Sequence, residues 1–186
     1  MKKKPYLFLC QGMFLLLLFS AVLPVSAADI FMNVAGIEGE STSKGHEKEI
    51  MVDSWKLELS NTVIREGGGG ARAGKVKFND IQITKKIDKS TPLLMLAASS
   101  GQHIPQVVLK ISKRSGNTAS DYLVITLKDV LISSINVSGD NNNDQMNEEL
   151  TINFSEIQFA YTPQKPDGTL DQPIRYGWDL FQNKKI

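Results

Sequence analysis

YLVITLKDVLISSINV, from Tyr122 to Val137, is apolar on both alternations of an extended chain. Tyr122, Val124, Val130 and Ile132 share one side, and Leu123, Ile125, Leu127, Leu131 and Ile135 share the other. A strand of this kind is covered on both faces. A single small sandwich would leave one of the two faces wet. A neighbouring copy of the chain is the natural cover, and symmetric self-assembly is its usual form. The stretch therefore predicts an all-β protein that associates with itself.

Strand signals continue on either side. Asp29 to Ala35 places Ile30, Met32 and Val34 together. Glu49 to Leu59 alternates Trp55, Leu57 and Leu59 against Ser54, Lys56 and Glu58, the pattern of a half-buried strand. Lys75 to Lys85 begins with Val76 and Phe78 inward and then shifts to Ile81 and Ile83, which predicts a bulge near Asn79-Asp80. Gln106 to Ser112 alternates through Val107, Leu109 and Ile111. Leu150, Ile152 and Phe154 hand over to Ile157, Phe159 and Tyr161, a second change of parity at Ser155-Glu156. Ile174, Tyr176, Trp178 and Leu180 form the last strand.

One helix interrupts the strands. Ser90-Thr91 offers an N-cap, Pro92 sits in the first turn, and Leu93, Leu94, Leu96 and Ala97 follow at helical spacing until Gly101. Asp88 precedes the start, where negative charge suits the helix dipole. Gly36 to His46, Gly139 to Asn147 and Pro163 to Pro173 are polar connections. Seven strands and one short helix predict a sandwich or a small closed barrel.

The first 28 of the 186 residues stand apart. Lys2, Lys3 and Lys4 precede an apolar run from Met13 to Val25, and Val25-Ser26-Ala27 then supplies the small residues a signal peptidase reads. Ser26-Ala27-Ala28 is the alternative one residue on. This is the three-part form of a cleavable secretory signal over residues 1–28, with the folded domain over 29–186. A membrane anchor needs a longer unbroken run, about 18 apolar residues. Cys10, the one cysteine, leaves with the signal, so disulfides and thiolate chemistry are not expected of the domain. Removing residues 1–28 takes three lysines and no acid from 21 basic and 20 acidic residues. The remaining 18 against 20, a net of −2, give no reason to expect a nucleic-acid partner.

Four stretches hint at chemistry. GGGGARAGK, from Gly67 to Lys75, nearly spells a phosphate-binding loop. Such a loop needs a helix after it and Ser or Thr after the lysine. Here Val76 follows, in a segment that reads as strand, so the glycines read as a contact loop or tip. His46 and His103, without cysteine, are too few for zinc and read as structural or solvated. Ser99-Ser100-Gly101 is no nucleophile elbow. Asp140, Asp144, Glu148 and Glu149 lack the calcium-loop spacing and read as a solvated turn. No catalytic residue, metal ligand or cofactor motif emerges.

The domain resembles the hemolysin-coregulated protein family, the inner-tube proteins of type VI secretion. The resemblance is carried by Ala28-Asp29-Ile30-Phe31, by Gly36 to Ser41, by His46 and Trp55, and by Ala73-Gly74-Lys75-Val76. Its most specific block runs from Thr84 to Pro92 (TKKIDKSTP), followed by Leu94 to Ala97 and Ser99 to His103. Tyr176-Gly177-Trp178-Asp179 closes it. The resemblance implies a tail-tube-like two-sheet β-barrel with one short α-helix, packed as a hexameric ring. Rings stack into a hollow tube that is driven by a contractile sheath, tipped by a spike protein and loaded with small effector proteins. It implies no enzyme activity.

On that reading, the segment Arg65, Glu66, Gly67, Gly68, Gly69, Gly70 and Arg72 becomes a ring or stacking contact loop. Ser54, Lys56 and Glu58 become a lumen face that meets effectors. The signal, with cleavage at Ala27 or Ala28, departs from a family whose tube assembles in the cytoplasm. It predicts a secreted protein and keeps open an exported, ring-forming binding module outside any cytoplasmic tube.

Overall fold

The computed structural model describes residues 28–64, 72–115, 118–139 and 146–186. In chain order the elements are β1 (Asp29–Val34), β2 (Ile50–Val52), β3 (Ser54–Lys56), β4 (Leu59–Ile64), β5 (Arg72–Phe78), β6 (Ile81–Lys86), α1 (Thr91–Ser100), β7 (Ile104–Ser115), β8 (Thr118–Ser138), β9 (Asn147–Tyr161), β10 (Ile174–Asp179) and β11 (Lys184–Lys185). The fold is mostly β with one helix, as the sequence predicts. Nine strands form one antiparallel sheet, and β4 and β5 form a separate two-stranded ribbon.

The sheet runs β11-β10-β9-β8-β7-β1-β2, with β6 also on β9 and β3 on β6. It turns back on itself around a core that includes Met32, Ile50, Leu109, Ile125 and Ile157. No ladder joins β2 to β3; the chain itself spans that corner. Glu49 to Leu59 is thus not one strand. β2 pairs with β1 and β3 pairs with β6, and Asp53 between them donates its N–H to the Thr84 carbonyl at 2.8 Å. The expected bulge at Asn79-Asp80 is instead a break. β5 belongs to the ribbon and β6 to the sheet, so the parity change marks a change of sheet.

The parity switch in β9 is where the sequence puts it. Glu148, Leu150, Ile152 and Phe154 are buried, then Ile157. β8 switches at the same level. Leu123, Ile125 and Leu127 point into the core, then Val130 and Ile132. The opening stretch therefore does not present two continuous apolar faces. It crosses from one face to the other at Lys128-Asp129 and shifts again between Ile132 and Ser134, after which Ile135 packs against the core beside Leu150, while Val124 and Leu131, left outside, are half-buried.

Asp129 makes the crossing in the left-handed region, with φ 48°. Its carboxylate accepts from the Ser155 hydroxyl at 2.7 Å and pairs with His103 Nδ1 at 2.8 Å. Those two bonds, Ser155 first, hold the Asp129 carboxyl below its ordinary value. Their contribution is present above the ordinary carboxylate range and is lost only as pH falls through the depressed value. At this level β9 also exchanges partners. Residues Asn147 to Ile152 pair with β6, and Glu156 to Tyr161 pair with β10.

Helix α1 begins and ends where its signals are. Pro92 lies in the first turn and Gly101 closes it with φ 64°. Ser90 is the N-cap residue, yet its side chain caps nothing in the helix. Its hydroxyl and N–H both turn back to Asp88 Oδ1. Thr91, Leu94 and Ala97 are the buried side of the helix.

Candidate functional site

The predicted lumen residues share one exposed surface. Ser54, Lys56 and Glu58 are exposed while Trp55 packs against the core, and Lys56 Nζ lies 3.8 Å from Glu58 Oε2. The sheet register extends this surface across four strands. Ser54 lies beside Thr84, Thr84 beside Glu149, and Glu149 beside Asn136. One step along, Lys56 lies beside Gln82, Gln82 beside Thr151, and Thr151 beside Ser134. The result is a broad hydrophilic face on β3, β6, β9 and β8. Such a face is wetted by solvent and offers hydrogen bonds without apolar adhesion.

Behind it lies a cluster of charges taken out of water. Lys85 and Glu148 are direct cross-strand partners of β6 and β9, and both side chains are 0% exposed. Lys85 Nζ is 3.1 Å from Glu148 Oε2, 2.9 Å from Asp88 Oδ1, 3.2 Å from Thr91 Oγ1 and 2.8 Å from the Lys86 carbonyl. Thr91 donates to the same Glu148 oxygen. The cluster ties the end of β6 to β9 and to the first turn of α1. Glu148 is therefore not part of a solvated acidic turn; Asp140 and Asp144 lie outside the described residues. The rows themselves carried the signal. Lys85 continues the inward row Ile81, Ile83, and Glu148 begins the inward row Leu150, Ile152, Phe154.

His46 is also buried. It stacks on Phe31 with ring centroids 4.1 Å apart. Its Nδ1 meets Glu49 Oε2 at 2.8 Å, and its Nε2 lies 3.2 Å from both Ser112 Oγ and Asp121 Oδ1. Lys110 Nζ reaches the other Glu49 oxygen at 2.5 Å. The sequence singled out His46 but not Ser112 or Asp121, which come from strands far along the chain.

Serine, histidine and carboxylate in this order have the connectivity of a nucleophile triad. Ser112 is only 1% exposed, however, and its hydroxyl donates to Asp121, so the proton is not held toward the histidine. The cluster instead fastens the Gly36–Glu49 connection onto β1, β7 and β8. His103 is exposed and serves Asp129. Among the described residues no group of three or more His, Cys, Asp and Glu is placed to hold a metal ion.

Of the predicted contact loop, Arg65, Glu66 and Gly67 to Gly70 lie outside the described residues, as does Ala27. Arg72 opens β5, and Ala28 is the first described residue. The loop joins the two antiparallel strands of the ribbon, and Lys75 and Val76 lie within β5. A strand, not a helix, follows the glycines, so no helix N-terminus stands ready for a phosphate. Leu59 and Val63 on the ribbon are exposed. An isolated two-stranded ribbon is marginal in water and gains from a partner surface.

Comparison with known proteins points the same way. A family model described as "Type VI secretion system effector, Hcp" matches residues 31–161. Protein hcp1 of Pseudomonas aeruginosa is 46% identical over 158 residues, which are 84% of this chain and 98% of that one. A solved type six secretion system protein superposes with a TM-score of 0.81 at 29% identity, covering 86% of this chain and all of the other. Hcp1 from Salmonella typhimurium superposes at 0.70 with 30% identity, over 86% and 99%.

The buried pair yields a sharp expectation. Lys85→Met should destabilise the fold by about 3–5 kcal/mol, because Glu148 is then left charged and unpaired inside. Lys85→Met with Glu148→Leu should recover most of that loss. Urea unfolding of the two singles and the double measures the coupling. Losses that simply add would show that the two charges do not act as a unit.

Proposed function

This chain belongs to the Hcp family of type VI secretion proteins, and from that membership we propose that it is a tube subunit that closes into hexameric rings and stacks into a hollow conduit. The observation that favours this reading is the hydrophilic face shared by β3, β6, β9 and β8. A conduit wall must stay wet and must not glue its cargo in place. A face of Ser, Thr, Asn, Gln and isolated charges meets that requirement. Ser54, Lys56 and Glu58 then line the channel and meet small effector proteins. The ribbon of β4 and β5, with its glycine loop Arg65 to Gly70 and Arg72, reaches a neighbouring ring. Ordering that loop costs backbone entropy, and contact with a neighbour offsets it. A contractile sheath outside and a spike protein at the tip are the further partners of this reading. The chain acts by assembly and carriage, with no chemistry of its own.

The N-terminal leader favours a second reading, an exported ring-forming binding module outside any cytoplasmic tube. N-terminal sequencing of protein from separated compartments decides between them. A chain beginning at Ala28 or Asp29 outside the cytoplasm supports the exported module. An intact Met1 in the cytoplasm supports the tube.

Lys56→Glu should change which effectors co-purify while leaving ring assembly intact, since the side chain is exposed and its ion pair with Glu58 is an exposed one. Unchanged loading across several effectors would argue against a channel position for Lys56. Shortening Gly67–Gly70 should weaken stacking more than ring closure. Equal loss of both, followed by native mass spectrometry and electron microscopy, would contradict the division of roles.

A further inference from the structure

The leader and the fold meet at one short junction. Both candidate cleavage points, after Ala27 and after Ala28, lie next to the first residue of β1. Asp29 pairs with Ser112 of β7, Ile30 with Ile111, and Phe31 with Lys110. On its other edge β1 carries β2, through Ile30 and Val52, Phe31 and Met51, and Met32 and Ile50. The strand is therefore held on both edges, inside the sheet path and not at its end. Phe31, Met32 and Val34 are buried, and Phe31 stacks on His46.

A peptidase takes its substrate as an extended strand and bonds to its backbone, as in other cases of strand addition. Residues beside the bond must therefore leave any strand partners of their own. One residue spans at most about 3.6 Å, so no more than about 7 Å of chain separates Ala27 from Asp29. Ala28 also lines recesses on two sides, one beside Tyr122 and Tyr161 and one beside Met51 and Lys86, so protein stands on both sides of it. Seating either bond in an enzyme cleft requires Asp29 to Phe31 to be peeled from β7 and β2. That exposes Phe31 and opens the core at Met32. Opening an interior strand costs close to the whole stability of a domain.

We infer that the leader is removable only before β1 joins β7, and that a chain which folds first keeps its leader for good. The inference rests on the leader of the exported reading above and adds an order of events to it. Hydrolysis comes first: water adds across the peptide bond, leaving a carboxylate on Ala27 or Ala28 and a free amine on the next residue. Closure of the sheet comes second. The chain leaves time for that order. Ser112 lies about 80 residues beyond Asp29, a length that synthesis at about 5–20 residues per second covers in roughly 4–16 s. Pairings between such distant segments also form slowly. Folding is then the branch point between the two readings, and the two products do not interconvert.

A spacer tests the order. The full chain, folded and purified with its leader, is mixed with signal peptidase in detergent micelles, and intact mass and N-terminal sequencing follow the cut. A second chain carries a flexible spacer of about eight Gly and Ser residues between Ala28 and Asp29. The spacer leaves the small residues at the cleavage point unchanged and moves them off the sheet. Circular dichroism should show both chains folded alike. A synthetic peptide of residues 1–36 is the unfolded reference. The peptide and the spacer chain should be cut at similar rates. The unmodified folded chain should be cut at least about a thousandfold more slowly, because cleavage then tracks the rare open form.

An unmodified folded chain cut as fast as the spacer chain would overturn the inference and leave the leader standing. A spacer chain cut as slowly as the unmodified one, while the peptide is cut, would overturn it as well, since nearness to β1 would not be what protects the bond. A peptide that stays intact would overturn the leader itself, and the inference with it.

Discussion

A lysine and a glutamate shut away from water govern where the sheet's residues face. Placing two charges in an apolar interior carries a penalty of several kcal/mol per ion, and their attraction offsets it only with good geometry and further hydrogen bonds. Lys85 meets that condition through Glu148, Asp88, Thr91 and a backbone carbonyl, all within 3.2 Å. The pair acts above all as a register pin. Sliding β6 by one residue would turn Lys85 outward and bring Lys86 or Thr84 inward, and every neighbour would change face with it. With the register held, Gln82 and Thr84 must face out beside Thr151 and Glu149. The same charges fix the first turn of α1. The outer polar face and the helix position thus share one cause.

The second constraint is the crossing at Asp129 and Ser155. Two long strands that each change inward face at one level cannot stay flat, and local twist rises there as it does at a bulge. Below the crossing, β9 carries β6 and the polar face. Above it, β9 carries β10, which leads to the turn that exposes Phe181. A single pair of long strands therefore holds the polar face and the β10 edge in fixed relation. Rigid placement of both is what a subunit needs if it is to close a ring and line its inside.

Much of this was legible in the sequence where local chemistry decides. The helix followed from Pro92 and Gly101, and the switch in β9 from Phe154 and Ile157. The switch in β8 was hidden because Leu127, Val130 and Leu131 fill both alternations with residues of one kind. Asp129, a polar residue tolerant of positive φ, was the available clue. Asn79 and Asp80 suggested a bulge because a change of sheet produces the same parity slip. Glu148 reads as part of a solvated turn, and Lys85 as a strand end, because charged side chains are ordinarily found at the surface. Their alignment with two inward rows was a sign that pairing knowledge would have exposed. The partners of His46 could not be read at all, since Ser112 and Asp121 reach it only through the fold.

Whether the hydrophilic face truly encloses a channel can be read from size-selective labelling. Cys10 is the one cysteine of the chain, so Lys56→Cys combined with Cys10→Ser supplies a single reporter there. In assembled protein, a small maleimide should label it readily while a long polymer-linked maleimide reacts far more slowly, and dissociation should abolish the difference. Equal labelling by both reagents in the assembled state would place Lys56 on an open outer surface and contradict the account.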